Sequence, residues 1–488
     1  MTLRRLLCAL LVLAPTLTRA APPVRITVGH TLGLYRFVES ITDGPQASKQ
    51  LASAFRGSRF DTPRARELAA AYRAIRDAHF GRGYFFEGYP RQRREMGFDV
   101  RQAFNLQSAL ARDLADLAGR TAQLLPPVEH RRLLEILRSF GPAYDALIWR
   151  PSRAKLERYR RRLAALAHRA GVRKMFDRAA RFYGSAWPDG LPLTVVLHPV
   201  PGARGHTTAY VIAHVAPMEA LLDEKDLAGR FGVLFHELCH ALYESQPARR
   251  QAELERWFAA DASPYAALAH GLLNEGLATA LGNGWAREQA TGELDPDPWY
   301  SDPQIDGFAR ALHPLVVDYL ARGRSMDREL VTETVARYRA RFPDAPRVFD
   351  NLLKEVFLAT DEQVVGIGEA GRALRRRFRV PSMTRSSPLG HADTAKTLGE
   401  VNSRASAILI FSPAQQAQLE RFARRVPAIG AWLPDLRKRR GSWVFSGLDR
   451  DQRLWIVIRI RRGQDLERAL AALQRAGRVD PKRPFLEL

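Results

Sequence analysis

The sequence has only two cysteines, and one of them, Cys8, lies in an apolar segment at the N-terminus. If that segment is removed on export, Cys239 is left alone and no disulfide can form within the chain. Long hydrophobic runs are equally scarce: the N-terminal one stands alone, which excludes a polytopic membrane protein. No fixed-period repeat is present, which excludes a solenoid. The 488 residues, 46% of them hydrophobic, are enough for several domains with buried cores.

Lysine is also rare, contributing eight of the 75 basic residues, although the formal net charge is +23. Such an arginine bias follows from genomic base composition as readily as from selection for a basic surface. The densest basic run, Arg437 to Arg440, is short and has no aromatic residues among its charges. The composition therefore favours a solvated basic surface and predicts no specific nucleic-acid partner.

The first twenty residues have the pattern of an export signal. Arg4 and Arg5 precede an apolar run from Leu6 to Leu17, which is too short to span a bilayer. Thr18 and Ala20 place small residues at the two positions that a signal peptidase reads, so we expect cleavage before Ala21 and a periplasmic or secreted protein. The alternative is an uncleaved anchor or a buried helix.

Helical periodicity dominates from Thr31 to about Tyr183. Apolar residues recur every three or four positions, which is typical of amphipathic helices. This spacing predicts helices over residues 64–78, 102–125, 129–140, 153–170 and 173–183. Pro126-Pro127 and Gly141-Pro142 predict breaks between them. We therefore expect a helical N-terminal region over residues 21–190.

The periodicity then changes. Leu193–Val200 and Thr207–Val215 are short and β-branched, and the Pro- and Gly-containing residues 201–205 between them predict a hairpin. Long helical patterns return over residues 226–245, 264–286 and 303–321 and continue to about Phe378. These features predict an α+β domain over residues 191–380.

Residues 381–396 are rich in Ser, Pro, Thr and Gly and predict a linker. Beyond it, strand patterns at 407–411, 442–445 and 453–460 alternate with helical patterns at 413–425 and 465–476. We expect a small α/β domain over residues 397–488. The chain as a whole is predicted to be mainly α, with a short β-hairpin or sheet before the helix described next.

One segment carries recognisable chemistry, His236-Glu237-Leu238-Cys239-His240. On a helix, His236 and His240 lie on one face about one turn apart, where both imidazoles can bind a single Zn²⁺. Glu237, beside the first ligand, is placed to act as general base on a zinc-activated water. Cys239 lies off the line that joins the two histidines, and we interpret it as a packing residue.

A catalytic zinc site needs a third protein ligand and one open position. Glu244 continues the helix face, but it lies eight residues past His236, about 12 Å along the axis, which is too far for one ion. Glu275 is on a separate predicted helix among apolar neighbours, and a buried carboxylate there needs a partner such as a metal. We therefore predict one zinc per chain, with Glu275 as the third ligand.

His236-Glu237-x-x-His240 followed by Asn274-Glu275-Gly276-Leu277-Ala278 resembles the gluzincin zinc metallopeptidases, in which a second helix brings a Glu in an N-E-G-x-A setting. The resemblance covers about residues 191–325 and implies a zincin-like fold, with His236, His240 and Glu275 as ligands and Glu237 as general base. The 34 residues between His240 and Glu275 exceed the usual spacing of those families. A G-x-M-E-N motif is missing, so aminopeptidase specificity is not implied.

Such enzymes also have a Tyr or His that stabilises the tetrahedral oxyanion. The candidates are Tyr300, at the start of a predicted helix, and His313 and Tyr319 within it. Thr207–Val215 is a candidate edge strand for main-chain pairing with an extended peptide, although a simple core hairpin explains it equally well.

Three functions therefore remain open. The first is an exported zinc metallopeptidase that hydrolyses peptide bonds in peptide or protein substrates. The second is a zinc hydrolase of another amide, such as a cell-wall peptide. The third is a catalytically silent, basic exported binding protein, against which the presence of Glu237 beside two candidate ligands argues.

Overall fold

The computed structural model describes residues 24–44, 47–80, 99–202, 207–361, 363–400 and 405–488. The predicted export signal, residues 1–20, lies outside the described residues. The chain divides into two units, which we describe separately. The first comprises the described residues up to Arg256 together with Leu273–Leu330, and the second comprises Trp257–Leu272 and Val331–Leu488.

In its described residues, the first unit has strand β1 (Val24–Val28) followed by helices as far as Tyr183. Its helices up to that point are α1 (His30–Ile41), α2 (Lys49–Phe55), α3 (Pro63–His79), α4 (Val100–Leu110), α5 (Leu114–Thr121), α6 (Pro127–Tyr144), α7 (Arg150–Arg169) and α8 (Val172–Tyr183). The described helices agree with the predicted helical periodicity, except that residues 102–125 divide into two helices and that strand β1 precedes α1.

Helices α6 and α7 form one continuous helix, because the π-helical segment Asp145–Trp149 joins them. The break predicted at Gly141-Pro142 is therefore wrong. Pro142 lies inside α6, where its missing N–H removes one backbone hydrogen bond without ending the helix. At 1.5 Å per residue, the helix from Pro127 to Arg169 is about 65 Å long.

Strands β2 (Leu193–Val200) and β3 (Val215–Leu221) complete a three-stranded sheet in the order β1-β2-β3. All pairs are parallel, with Val24 opposite Leu193 and Thr194 opposite Val215. The almost fully buried apolar run of β2 is typical of a strand inside a parallel sheet. β1 belongs to this sheet, so the predicted boundary between residues 190 and 191 does not separate two independent domains.

The hairpin predicted between residues 193–200 and 207–215 is wrong. Residues 208–212 do form an antiparallel pairing, but with β3 and not with β2. The pairing consists of the bridges Ala209–Met218 and Ile212–Val215. The turn lies at Ala213, whose φ of 55° is unusual for a residue with a side chain. Residues 207–212 thus lie along the outer edge of β3.

The remaining helices of the first unit carry the candidate site. They are α9 (Leu227–Glu244), α10 (Ala248–Ala259, whose last three residues belong to the second unit), α12 (Leu273–Thr279), the π-helical segment Ala280–Ala286, α13 (Arg287–Thr291) and α14 (Pro303–Ala321). Helix α11 (Ala266–Gly271) belongs to the second unit, and α15 (Arg328–Arg341) extends from the first into the second. The predicted helix over 303–321 is confirmed at both ends.

The second unit is built around a six-stranded sheet with the order β5-β4-β6-β8-β7-β9. The strands are β4 (Glu355–Thr360), β5 (Ser382–Ser386), β6 (Ser406–Phe411), β7 (Trp443–Leu448), β8 (Leu454–Arg459) and β9 (Phe485–Glu487). The pairs from β5 to β8 are parallel, and β7 is antiparallel to β8 and β9. Two separate apolar clusters cover the two faces of this sheet.

The helices of the second unit beyond α15 are mostly short. They are α16 (Phe349–Leu352), α17 (Ile367–Arg377), α18 (Ala392–Glu400), α19 (Gln416–Arg425), α20 (Pro427–Gly430), α21 (Leu433–Lys438) and α22 (Asp465–Ala476), with 3₁₀ turns at Ala345–Arg347 and Pro413–Gln415. The prediction of a mainly α chain with α+β and α/β parts is confirmed.

The predicted linker over residues 381–396 is wrong. Strand β5 occupies its first half, paired in parallel with β4, and α18 begins at Ala392. β5 is an edge strand with a half-exposed, polar sequence, and such composition is indistinguishable from that of a linker in the sequence alone. The helical pattern expected up to Phe378 is likewise interrupted by β4. Among the described residues, no helix is long and apolar enough to cross a membrane.

Candidate metal centre

The two histidines lie in the middle of α9, whose N-terminus is capped by Asp226, with the carboxylate accepting a hydrogen bond from the Gly229 backbone N–H. His236 and His240 project from one face, and their Nε2 atoms are 2.9 Å apart. Their rings meet at an interplanar angle of 81°. The i,i+4 spacing has therefore produced the convergence that the sequence predicts.

The third candidate ligand comes from α12, which packs beside α9. Glu275 places Oε2 3.5 Å from His236 Nε2 and Oε1 3.7 Å from His240 Nε2. Glu244, at the C-terminal end of α9, is not part of this group. His236, His240 and Glu275 form the only such group of metal-binding side chains found among the described residues.

Two glycines allow the π-helical segment after α12 to approach α9 closely. A Cβ atom on Gly282 would lie 2.5 Å from the backbone N of His236 and 2.6 Å from the carbonyl oxygen of Gly232. A Cβ on Gly232 would in turn lie 3.0 Å from the carbonyl oxygen of Gly282. π-Helical insertions are frequent at functional sites, and this one lies against the backbone of the first histidine.

The three donor atoms fit a tetrahedral zinc ion. Zn–N and Zn–O bonds of about 2.0–2.2 Å place ligand atoms roughly 3.3–3.5 Å apart in a tetrahedron. The two Nε2 atoms are 2.9 Å apart, and each has a different carboxylate oxygen of Glu275 near it, Oε2 at 3.5 Å from His236 and Oε1 at 3.7 Å from His240, so the separations lie close to that value. Three protein ligands would leave one position open, as in catalytic rather than structural zinc sites.

Outer partners orient both imidazoles. Asn274 Oδ1 lies 3.0 Å from His240 Nδ1, and Thr279 Oγ1 lies 3.5 Å from His236 Nδ1. Because a carbonyl oxygen can only accept, His240 Nδ1 carries a hydrogen, and in the neutral imidazole Nε2 is then the nitrogen with a lone pair for a metal. The two Nε2 atoms face each other across 2.9 Å, an arrangement that a cation bound to both nitrogens would stabilise. The sequence analysis did not predict that Asn274 and Thr279 orient the two histidines, although Asn274 directly precedes Glu275.

The charges of the site are strongly coupled. Burial alone would raise the pKa of Glu275, but the adjacent imidazoles of His236 and His240 lower it well below its ordinary range. Burial would likewise lower the pKa of His240, but its contact with Glu275 raises it to about 9. A carboxylate that stabilises positive charge on the imidazole of His240 is equally suited to attract a metal cation.

Glu237 is 5% exposed and lies on the helix turn that carries His236. Burial raises the pKa of its carboxyl group, and the nearby imidazoles of His236 and His240 oppose that rise. A general base for neutral-pH catalysis benefits from such a raised pKa. The buried position therefore suits the role that the sequence predicts for Glu237.

Of the three candidate oxyanion donors, the structure brings Tyr300 to the histidines. Its ring stacks on His236 with a centroid distance of 6.0 Å. His313 instead packs against Trp299, with ring centroids 5.3 Å apart, and its Nε2 lies 3.8 Å from Glu288. The hydroxyl of Tyr319 donates a hydrogen bond to Asp327 at 2.9 Å, which assigns that residue to packing. Cys239 is fully buried, as a packing residue should be.

The edge segment 207–212 pairs with β3 along one side only, among the described residues. Hydrogen bonds from Glu219 N to Thr208 O and from Tyr210 N to Pro217 O hold it to β3. By the alternation of an antiparallel pair, the backbone groups of Ala209 and Val211 then point away from the sheet. The hydroxyl of Tyr210 donates to Asn105 at 2.5 Å, and Glu237 contributes to a rise in the tyrosine pKa that burial mainly causes. Tyr210 therefore lies in the electrostatic neighbourhood of Glu237.

A polar cavity of about 220 Å³ continues the face of α9 that carries the histidines. Gly229 and Val233 contribute to its lining, and at intervals of four and three residues they lead to His236. Asn283 and Trp299 line the other side. The cavity is large enough for one amino-acid side chain.

No protein-family model, curated protein or solved structure shows a match to this chain, so the functional assignment depends on the geometry described above.

Proposed function

We propose that the protein is a zinc-dependent metallopeptidase of the gluzincin type, with His236, His240 and Glu275 as metal ligands. The observation that carries the proposal is the convergence of three donor atoms from two helices within 4.8 Å of one another. The Nδ1 atoms of both histidines point toward a side-chain oxygen, as is usual for metal-binding histidines. A zinc ion in such a site acts as a Lewis acid that activates water and polarises a carbonyl group.

Glu237 serves as the proton carrier in this proposal. It accepts a proton from the attacking water as the oxygen bonds to the peptide carbonyl carbon. It then delivers that proton to the amide nitrogen as the C–N bond breaks, so that a carboxylic acid and an amine leave. Tyr300, adjacent to His236, is the preferred donor to the oxyanion that forms on the carbonyl oxygen.

The edge segment 207–212 is the proposed binding surface for the substrate backbone. An extended peptide could pair with the outward-facing backbone groups of Ala209 and Val211. Such pairing tolerates varied side chains, because main-chain groups supply the hydrogen bonds. The polar cavity on the face of α9 would then receive one substrate side chain.

A zinc determination on the purified protein, combined with digestion of a peptide library, tests the proposal. We expect one zinc per chain and hydrolysis that a chelator abolishes and added zinc restores. Bound zinc without cleavage of any peptide would favour a hydrolase of another amide, such as a cell-wall peptide. Absence of bound zinc would leave a binding protein without catalysis and would refute the proposal.

We also propose that the protein is exported, from the sequence pattern of residues 1–20. Intact-mass measurement of protein from the cell-envelope fraction should give a chain that begins at Ala21. A mass that includes residues 1–20 would contradict cleavage.

A further inference from the structure

The continuous helix from Pro127 to Arg169 changes its charge abruptly at its midpoint. Residues 127–149 contain three arginines and three acids, and therefore no net charge. Residues 150–169 contain eight basic residues and one acid, Glu157. A genomic arginine bias would act on both halves of one helix alike. The excess in α7 is therefore a local property that base composition does not explain.

The excess charge lies on the solvent face of α7. Leu156, Tyr159 and Leu163 form the buried stripe of the helix. Arginines cover the opposite side over a length of about 30 Å. The exposed arginines on that side are Arg150, Arg158, Arg161, Arg162 and Arg169. In the described part of the chain, none of these five has an ion-pair partner, in contrast to Arg160, which pairs with Glu157 at 2.8 Å.

Helix α8 extends the same basic character. It begins two residues after α7 ends, following Gly171 with a φ of 72°. Arg173, Lys174, Arg178 and Arg181 are exposed on it, and Asp177 is its one acid. We call the five unpaired arginines of α7 and these four exposed basic residues of α8 together the α7–α8 face.

The chemistry of this face selects among anionic partners. Guanidinium groups bind phosphate oxygens in a bidentate manner. The aromatic residues of α7 and α8 are occupied, since Tyr159 is 3% exposed and Phe176 packs against Trp187. Stacking with single-stranded bases is therefore not available. Among the described residues, the exposed large hydrophobic side chains are Val128 and Leu294, which lie outside this face. The mode of binding that remains is electrostatic attraction of an anionic partner to the arginines, without insertion of apolar side chains into it.

We propose that the α7–α8 face docks the protein onto the surface of an anionic phospholipid bilayer. A straight row of arginines about 30 Å long matches a planar surface, and laterally mobile headgroups can adapt to the spacing of the row. Each basic residue near such a surface contributes about 1 kcal/mol, which corresponds to roughly a fivefold factor in the partition coefficient. This inference does not depend on the proposed catalytic function.

Vesicle sedimentation of the full-length protein tests the docking. Vesicles of phosphatidylcholine alone are compared with vesicles containing about 30% phosphatidylglycerol, over a range of salt concentrations. Arg158→Gln/Arg161→Gln is the test variant. Arg131→Gln/Arg138→Gln is the matched control, because both of its arginines are exposed on the same helix and lie about 30–45 Å away. Glutamine has nearly the helix propensity of arginine, so the fold is retained.

We expect salt-sensitive binding to the anionic vesicles and none to phosphatidylcholine. The test variant should bind roughly 25-fold more weakly, whereas the control should bind like the unmodified protein. Equal weakening in both variants, or no binding to anionic vesicles, would overturn the proposal. So would a duplex DNA competitor that binds the protein more tightly than the vesicles do and depends on Arg158 and Arg161.

Discussion

Asn274 Oδ1 accepts a hydrogen bond from His240 Nδ1 over 3.0 Å. Neighbouring positions of one short helix thus contact opposite ends of the same imidazole, since Glu275 Oε1 lies 3.7 Å from His240 Nε2. This arrangement fixes the tautomer of the histidine and aims its lone pair at the proposed metal position. The pair Asn274-Glu275 therefore supplies both a ligand and the group that orients another ligand.

Replacing Asn274 should weaken metal binding without removing a ligand. We expect Asn274→Ala to lower zinc affinity by about 10–100-fold, because the orientation of His240 is lost. Asn274→Asp retains an acceptor at the same place and should restore most of the affinity. Competition with a chelator of known affinity measures both variants. Unchanged affinity in Asn274→Ala would show that the contact has no role in metal binding.

The role of Glu275 as third ligand can be tested by comparing its replacement with that of Glu244, an acid on the helix that carries the two histidines. Glu275→Ala should reduce zinc to well below one per chain, because two imidazoles alone make an incomplete site. Glu244→Ala, the control, should retain zinc, because Glu244 lies outside the group of three donors. Metal analysis of both purified variants decides the matter. Loss of zinc in the Glu244 variant alone would contradict the proposed coordination.

The local periodicity of the sequence was sufficient to predict the histidine helix and the convergence of Glu275. An i,i+4 histidine pair and a carboxylate on an apolar helix are local signals, and the structure places them together. For Asn274, the only indication in the sequence of a role at the site is its position next to Glu275. The role of Gly282 could not be predicted from the sequence, because it depends on the close approach of two helices that are distant in sequence.

The errors in the fold have the same origin. Residues 207–215 look like a partner for β2, but the turn at Ala213 sends residues 208–212 onto β3. Strand pairing is set by long-range packing, which a single segment does not encode. Residues 382–386 are polar, yet they pair with β4 at a sheet edge where one side of the strand needs no partner. The α7–α8 face has no signal in the overall composition, because the arginine excess of the whole chain masks the local excess in residues 150–169.

The close approach of Gly282 to α9 predicts a steric effect on stability. Gly282→Ala should lower the thermal unfolding midpoint by several degrees, because its Cβ would overlap the His236 backbone and overpacking costs about 1–3 kcal/mol. Gly141→Ala on α6 is the control, since its Cβ would meet no atom within 4 Å. Alanine favours a helix interior by about 1 kcal/mol, so the control should be slightly stabilised. Equal midpoints for both variants would contradict the packing described.

Removal of the Tyr300 hydroxyl tests the proposed oxyanion donor. Tyr300→Phe keeps the ring that stacks on His236, so zinc content should not change. Peptide hydrolysis should fall by about 10²–10³-fold, the usual cost of losing one oxyanion donor. Tyr319→Phe is the control, because its hydroxyl is bonded to Asp327, and it should retain hydrolysis within a fewfold. A fully active Tyr300→Phe would contradict the assignment of Tyr300 as the oxyanion donor.

Replacement of Glu237 by glutamine separates chemistry from structure at the site. Glutamine is nearly isosteric, so α9 and both imidazoles keep their places and zinc should remain bound. It cannot accept a proton from water or pass one to the departing amine, and hydrolysis should therefore fall by about 10²–10⁴-fold.

The burial of Glu237 makes the same variant informative about stability. Because burial raises the pKa of this carboxyl group, its ionised form is disfavoured in the folded protein. A neutral amide removes that penalty, so Glu237→Gln should unfold at a temperature no lower than that of the unmodified protein. Zinc content, hydrolysis rate and unfolding midpoint are measured on one preparation. Parallel loss of zinc and activity, or a clear fall in the midpoint, would mean that Glu237 supports the fold and does not carry the proton.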